Sequence, residues 1–192
     1  MKLSEHFTLG ELCKTSYHTV DGNIPSRVAI ENLKRICRWL EILRERYNRK
    51  YGDSVSPPDL GGVRGGLRSS YARLLPEGRK NDSRSSRDQT TPDPSYSGGE
   101  VPIVISSGYR SEEVNRKCGG AKGSNHLTGC AVDIRCLGPE QMIRYACLLL
   151  DTADENGWVF DELIQEKRGT TYWIHFAVRP SGNRRKILFD CR

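Results

Sequence analysis

Apolar positions recur along this chain with two periods, and the change of period separates helices from strands. From Pro25 onward, Ala29, Leu33, Ile36, Leu40, Leu43 and Tyr47 fall at alternating steps of four and three. That spacing lines one face of a helix ending near Gly52, and such a stripe marks a core element. Ahead of it, Thr8 and Glu11 have capping-box spacing, so a short helix containing Leu9 and Leu12 begins near Thr8. Further on, Val101 to Ser106 is a β-branched strand with Pro102 at its start, Ser111 to Lys117 reads as a short helix, and Ala131 to Arg135 as a second strand. Pro139, at a first-turn position, introduces a helix through Met142, Ala146 and Leu149 to about Asp154. Phe160 to Glu166 and Tyr172 to Val178 flank Gly169 and Thr170 as the arms of an antiparallel hairpin, and Lys186 to Asp190 supplies a final edge strand. The pattern is that of an α+β domain, an antiparallel sheet with flanking helices.

Between these halves, residues 52–99 lose all apolar periodicity. Ser, Gly, Pro, Asp and Arg crowd stretches such as Lys80-Asn81-Asp82-Ser83-Arg84-Ser85-Ser86-Arg87. The segment reads as a long flexible, disordered insertion within one domain spanning 1–192. Acids interspersed among its arginines favour a solvated linker over a nucleic-acid-binding arm, and no nucleic-acid partner is expected.

Charge narrows the picture only a little. Lys and Arg number 30 against 24 Asp and Glu, a formal charge of +6 that suits polyanionic surroundings without choosing among them. Met1 to Gly10 is amphipathic and contains Glu5 and His6, so it lacks the apolar run and cleavage site of a secretory signal, and cytoplasmic synthesis is the expectation. No stretch approaches the roughly 18 apolar residues of a membrane span. The 7 cysteines are an odd number without the dense spacing of a disulfide scaffold. Cys37, Cys136 and Cys147 sit in apolar settings where a reduced thiol packs as a small hydrophobe.

Composition becomes chemistry between Ser107 and Asp133. A loop histidine, His126, precedes an aspartate, Asp133, on the adjoining strand, with Gly129 easing the turn between them. His175 is a plausible third ligand, because Trp173-Ile174-His175-Phe176 alternates apolar residues with one imidazole and a strand holds its ligand rigidly. Three protein ligands leave one coordination position open, as a single catalytic Zn2+ requires. A closed structural site made by Cys118, Cys130 and Cys136 with His126 is the competing arrangement, but the spacings are not those of a zinc ribbon. His6 and His18 read as structural.

At these residues the chain resembles the zinc peptidase family that includes D-Ala-D-Ala carboxypeptidases, vancomycin-resistance D,D-dipeptidases and several phage endolysins, which shares its fold with the Hedgehog signalling domain. The family pattern Ser-x-His-x-x-Gly-x-Ala-x-Asp falls on Ser124, His126, Gly129, Ala131 and Asp133. Its Ser-Gly-Tyr-Arg element falls on Ser107 to Arg110, and its Trp-x-His strand on Trp173 to His175. The resemblance runs from Phe7-Thr8-Leu9-Gly10-Glu11-Leu12 to about Val178, outside the insertion.

What the resemblance implies is a Hedgehog/DD-peptidase-like fold and hydrolysis of peptidoglycan stem peptides, by removal of terminal D-Ala or by internal cleavage such as L-Ala-D-Glu. Some members place the general base three residues before the second histidine, where this chain has Tyr172, so the role passes to Glu166 of the Leu-Ile-x-Glu element. Asp161 and Glu162 are weaker candidates. Arg110 matches the arginine that steadies the scissile carbonyl oxygen or a substrate carboxylate, with Tyr109 lining the same pocket. Ser124 orients a ligand by hydrogen bonding rather than serving as a nucleophile, and Trp173 lines or supports the site. The protein is expected to be a monomer acting at the cell wall, as a phage or prophage product. A non-catalytic cell-wall or protein-binding module with the same fold is the competing expectation.

Overall fold

The computed structural model describes residues 1–52 and 100–191, so the insertion read at 52–99 lies outside the described residues except for Gly52. Helix α1, Leu9–Leu12, starts where Thr8 accepts a hydrogen bond from the Glu11 N–H. The long helix α2, Arg27–Tyr51, is capped by the Ser26 hydroxyl, and the whole apolar stripe from Ala29 to Tyr47 is buried. A short strand β1 (Ile105–Ser107), helix α3 (Glu112–Lys117), a 3-10 turn (Asn125–Thr128), strand β2 (Ala131–Cys136) and helix α4 (Pro139–Asn156) follow. The hairpin β3 (Glu162–Arg168) and β4 (Thr171–Ala177) and strand β5 (Lys186–Cys191) complete the chain.

These strands make one five-stranded sheet in the order β1-β2-β4-β3-β5. Period-two alternation gives the sheet two unlike faces. Val132 opposite Phe176, and Ile134 opposite Ile174, point into the core, all four fully or almost fully buried. Helices α2 and α4 cover that face. Trp39 meets Phe160 and Phe176 in edge-on contacts, and Tyr47 meets Tyr145 at 4.8 Å between ring centroids. The opposite face carries Asp133 directly across from His175.

Three expectations change. The sheet is mixed rather than antiparallel, because β5 runs parallel to β3. After β4 the chain turns back through Val178 to Arg185 and is tied to the entrance of β3 by Arg185 N–H to Phe160 O and Lys186 N–H to Asp161 O, both 2.9 Å. A strand that starts beside the start of its neighbour must run the same way. Strand β1 is shorter than read at 101–106: Pro102 has no N–H to donate, and Asn48 takes both main-chain groups of Val101. Cys147 is exposed, since α4 buries Met142, Tyr145, Ala146 and Leu149 on one side and turns residue 147 outward. No helix among the described residues is long and apolar enough to cross a membrane.

Candidate metal centre

His126 stands in the 3-10 turn before β2, and that turn is built tightly. Ser124 accepts from the His126 N–H, and Asn32 of α2 donates to the Thr128 carbonyl at 2.8 Å. The chain then reverses at Gly129, which is left-handed at φ 69°, where a Cβ would lie 2.5 Å from the Ala29 carbonyl oxygen of α2. Gly108 is equally confined: its Cβ would meet the Leu12 carbonyl oxygen at 2.2 Å. The absence of a side chain there lets α1 approach and leaves the Gly108 carbonyl free to accept from His126 Nδ1 at 2.6 Å.

That bond fixes the imidazole. A carbonyl only accepts, so Nδ1 carries the proton and Nε2 presents a lone pair. His126 Nε2 lies 3.2 Å from Asp133 Oδ1 and 3.1 Å from His175 Nδ1, and the last two atoms are 3.0 Å apart. The three residues are the one group of metal-capable side chains found among the described residues. Three lone-pair donors this close repel one another unless a proton or cation lies between them. Tetrahedral ligands at about 2.0–2.1 Å from zinc stand roughly 3.3–3.4 Å apart, so the observed triangle fits the ion with adjustments of a few tenths of an ångström.

The charges agree with the geometry. Burial works against the Asp133 carboxylate, but His126 first and then His175 hold it well below the ordinary carboxylate range. Burial likewise opposes charging of His175, yet Asp133 and Glu162 push it up to about 9. Glu162 sits 3.5 Å from His175 Nε2, the ring nitrogen turned away from the triangle, and that imidazole above all brings its carboxyl down to about 2.

The other candidate residues divide around this centre. Arg110 donates from Nε to Ser107 Oγ at 2.7 Å and pairs through a terminal nitrogen with Asp133 Oδ2, while its other terminal nitrogen lies 3.6 Å from Cys118 Sγ. Glu166 is on the His175 face of the hairpin, opposite Trp173, with Ile164 opposite His175 between it and Glu162. Burial and, after it, the Asp133 charge raise the Glu166 carboxyl, opposed by His175 and the Trp173 indole N–H. Tyr109 is placed differently. Its ring packs against the core, its phenol is raised by burial and then by Asp21, and no hydrogen bond joins it to His126, Asp133 or His175. Asp161 belongs to the frame: wholly buried, it accepts from Arg184 at 2.7 and 2.8 Å and from Asn125 at 2.8 Å. The competing cysteine site does not form among the described residues, with Cys118 exposed at Arg110 while Cys130 and Cys136 are buried. His6 bonds to Glu41, a structural role.

Two supporting groups escaped the sequence reading. Nothing in the residue type of Gly108 announces that its carbonyl fixes His126. The sequence marks Glu162 only as a weaker candidate base, although period-two alternation puts it on the His175 face.

Comparison with known proteins adds one match. No curated protein matches the chain. Residues 96–159, a third of its length, match the sequence model of the family described as Peptidase M15. The matched stretch contains the Ser-Gly-Tyr-Arg element, His126 and Asp133 and ends before His175 and Glu166. Match and geometry converge on His126 and Asp133: over that third of its length the chain is similar to the Peptidase M15 family, and both residues belong to the group that could hold a metal ion.

Proposed function

We propose that this protein is a zinc metallopeptidase that hydrolyses peptidoglycan stem peptides, as a D,D-carboxypeptidase or an L-Ala-D-Glu-type endopeptidase, on a Hedgehog/DD-peptidase-like fold. The observation that carries the proposal is the convergence of three metal-capable side-chain atoms, 3.0–3.2 Å apart, on one face of the sheet. His126 through Nε2, His175 through Nδ1 and Asp133 through Oδ1 would hold a single zinc ion. Bound there, zinc supplies Lewis acidity that lowers the pKa of water and polarises a peptide carbonyl.

The chain's own residues do the rest. Glu166, half-buried on the same face with its carboxyl raised, takes the proton from the attacking water and returns it to the leaving amine. Trp173 stands directly across from Glu166 in the hairpin and lines the same face. Arg110 anchors Asp133 and presents a fixed cation at the edge of the centre, where negative charge develops on the carbonyl oxygen. Ser124 serves His126 from its cap position, bonding the backbone rather than the substrate. The protein acts as a monomer at the cell wall, as the product of a phage or prophage.

Purified full-length protein, loaded with zinc or treated with a chelator, should be incubated with muropeptides and the fragments followed by mass spectrometry. Zinc-dependent release of a defined fragment, lost in His126→Ala and His175→Ala, is the expected result. Stoichiometric zinc binding without cleavage of any stem peptide would sink the enzymatic reading and leave a binding module on the same fold.

A further inference from the structure

Glu162 approaches His175 from outside the donor triangle. Its Oε2 lies 3.5 Å from Nε2, whereas the opposite ring nitrogen, Nδ1, faces Asp133 and His126. A carboxylate on that side of the ring stands outside the group of side chains that could hold the ion. Resting on the zinc reading above, we propose that Glu162 is a positioning residue of the centre: it accepts the His175 Nε2–H and so fixes the tautomer that offers Nδ1 to the ion.

The local construction fits this task. Glu162 is opposite Ala177 in the hairpin, and a methyl group there leaves room for the longer chain to lean diagonally over β4 toward His175. Its other oxygen is occupied by Arg184 at 3.0 Å and Lys186 at 3.4 Å, which turns Oε2 inward. That inward oxygen also accepts from Asn125 Nδ2 at 2.9 Å. Asn125 stands next to His126 in the 3-10 turn, so one carboxylate links the strand bearing one histidine to the turn bearing the other. The two histidines thus have unlike supports. His126 donates to the neutral Gly108 carbonyl, and His175 faces a full negative charge, which makes its Nδ1 the stronger electron donor. Glu162 and Glu166, four residues apart on one strand face, take different work on this account.

The test is zinc affinity by chelator competition on the full chain, comparing wild type with Glu162→Ala, Glu162→Gln and Arg184→Ala. Loss of the carboxylate on a ligating histidine weakens metal binding by about 10–100-fold, and that is expected of Glu162→Ala. Glu162→Gln keeps an acceptor without the charge and should lose less. Arg184→Ala, which leaves Lys186 on the outer oxygen and Asn125 on the inner one to hold the carboxylate in place, should bind zinc close to the wild-type level. In zinc-loaded wild type the His175 Nε2–H proton should resonate downfield and move upfield in Glu162→Gln, a signature that carries the test even if the alanine variant fails to fold. Unchanged zinc affinity in folded Glu162→Ala, an unmoved Nε2–H signal in Glu162→Gln, or equal loss in Arg184→Ala would each overturn the proposal. Wild-type protein that takes up no zinc would instead overturn the metal reading beneath it.

Discussion

Replacing Gly129 by alanine tests whether the turn between His126 and Asp133 is held by helix α2 as the structure has it. Two separate costs act at this position. The left-handed backbone, φ 69°, disfavours any L side chain by roughly 1–2 kcal/mol. The new methyl would also lie 2.5 Å from the Ala29 carbonyl oxygen, and because that atom is main chain it cannot swing aside. Relief of such overpacking costs about 1–3 kcal/mol. Against these, alanine stiffens the unfolded chain, which returns roughly 0.4–1 kcal/mol. The net expectation is a loss of about 3 kcal/mol. Two neighbouring glycines separate the contributions. Gly119 is left-handed at φ 72° with nothing within 4 Å, so Gly119→Ala should cost about 1 kcal/mol. Gly123 has open space and no left-handed backbone, so Gly123→Ala should be neutral or slightly stabilising. Urea unfolding of the three variants against wild type gives the values, and zinc affinity should fall only in Gly129→Ala, where the turn carrying His126 must move. If Gly129→Ala proves no less stable than Gly119→Ala and binds zinc normally, the close approach of α2 does not position the ligand and the reasoning fails.

Further outcomes follow from the same geometry. Glu166→Gln should keep zinc binding within about twofold while lowering kcat by about 10²–10⁴-fold, the usual worth of a general base, and full turnover in that variant would reassign the role. Arg110→Ala should lower kcat/KM by about 10²–10³-fold and also weaken zinc, because Asp133 loses its partner; Arg110→Lys should recover the zinc affinity more than the rate, since a lysine lacks the guanidinium fork. Asp161 has a folded pKa of about 2, below its ordinary 3.8, held there against burial by Arg184, Asn125 and Arg179. Being depressed on folding, it stabilises the protein fully above the unfolded value, and that stability, about 2 kcal/mol, is lost as pH falls from about 4 to 2. Urea midpoints measured from pH 5 to pH 2 in wild type and Asp161→Asn should converge at the acid end, and parallel curves would refute the assignment.

Much of the site could be read from residues alone because its parts sit on regular elements. The apolar stripe from Ala29 to Tyr47 and the alternation around His175 are local, and each announces which side of its element is buried. The pairing of Asp133 with His175 across 42 intervening steps is not local. It depends on strand register, and a slip of one residue would send His175 to the core face while bringing Ile174 or Phe176 to the site. The motif carries that register indirectly, which is why His126, Asp133 and His175 are legible together as one candidate group. Where neither period nor motif speaks, the reading failed for definite reasons. The direction of β5 is decided by how the Val178 to Arg185 loop is tied to the entrance of β3, an arrangement of hydrogen bonds that apolar periodicity does not encode. Likewise Glu162 and Glu166 share a face by alternation, yet only the ring orientation of His175 tells the carboxylate that meets Nε2 from the one left to serve the reacting water. In the roles proposed above, that orientation follows from the triangle of His126, Asp133 and His175, so the proposed division of labour between the two glutamates rests on the geometry of that group and not on their positions in the motif.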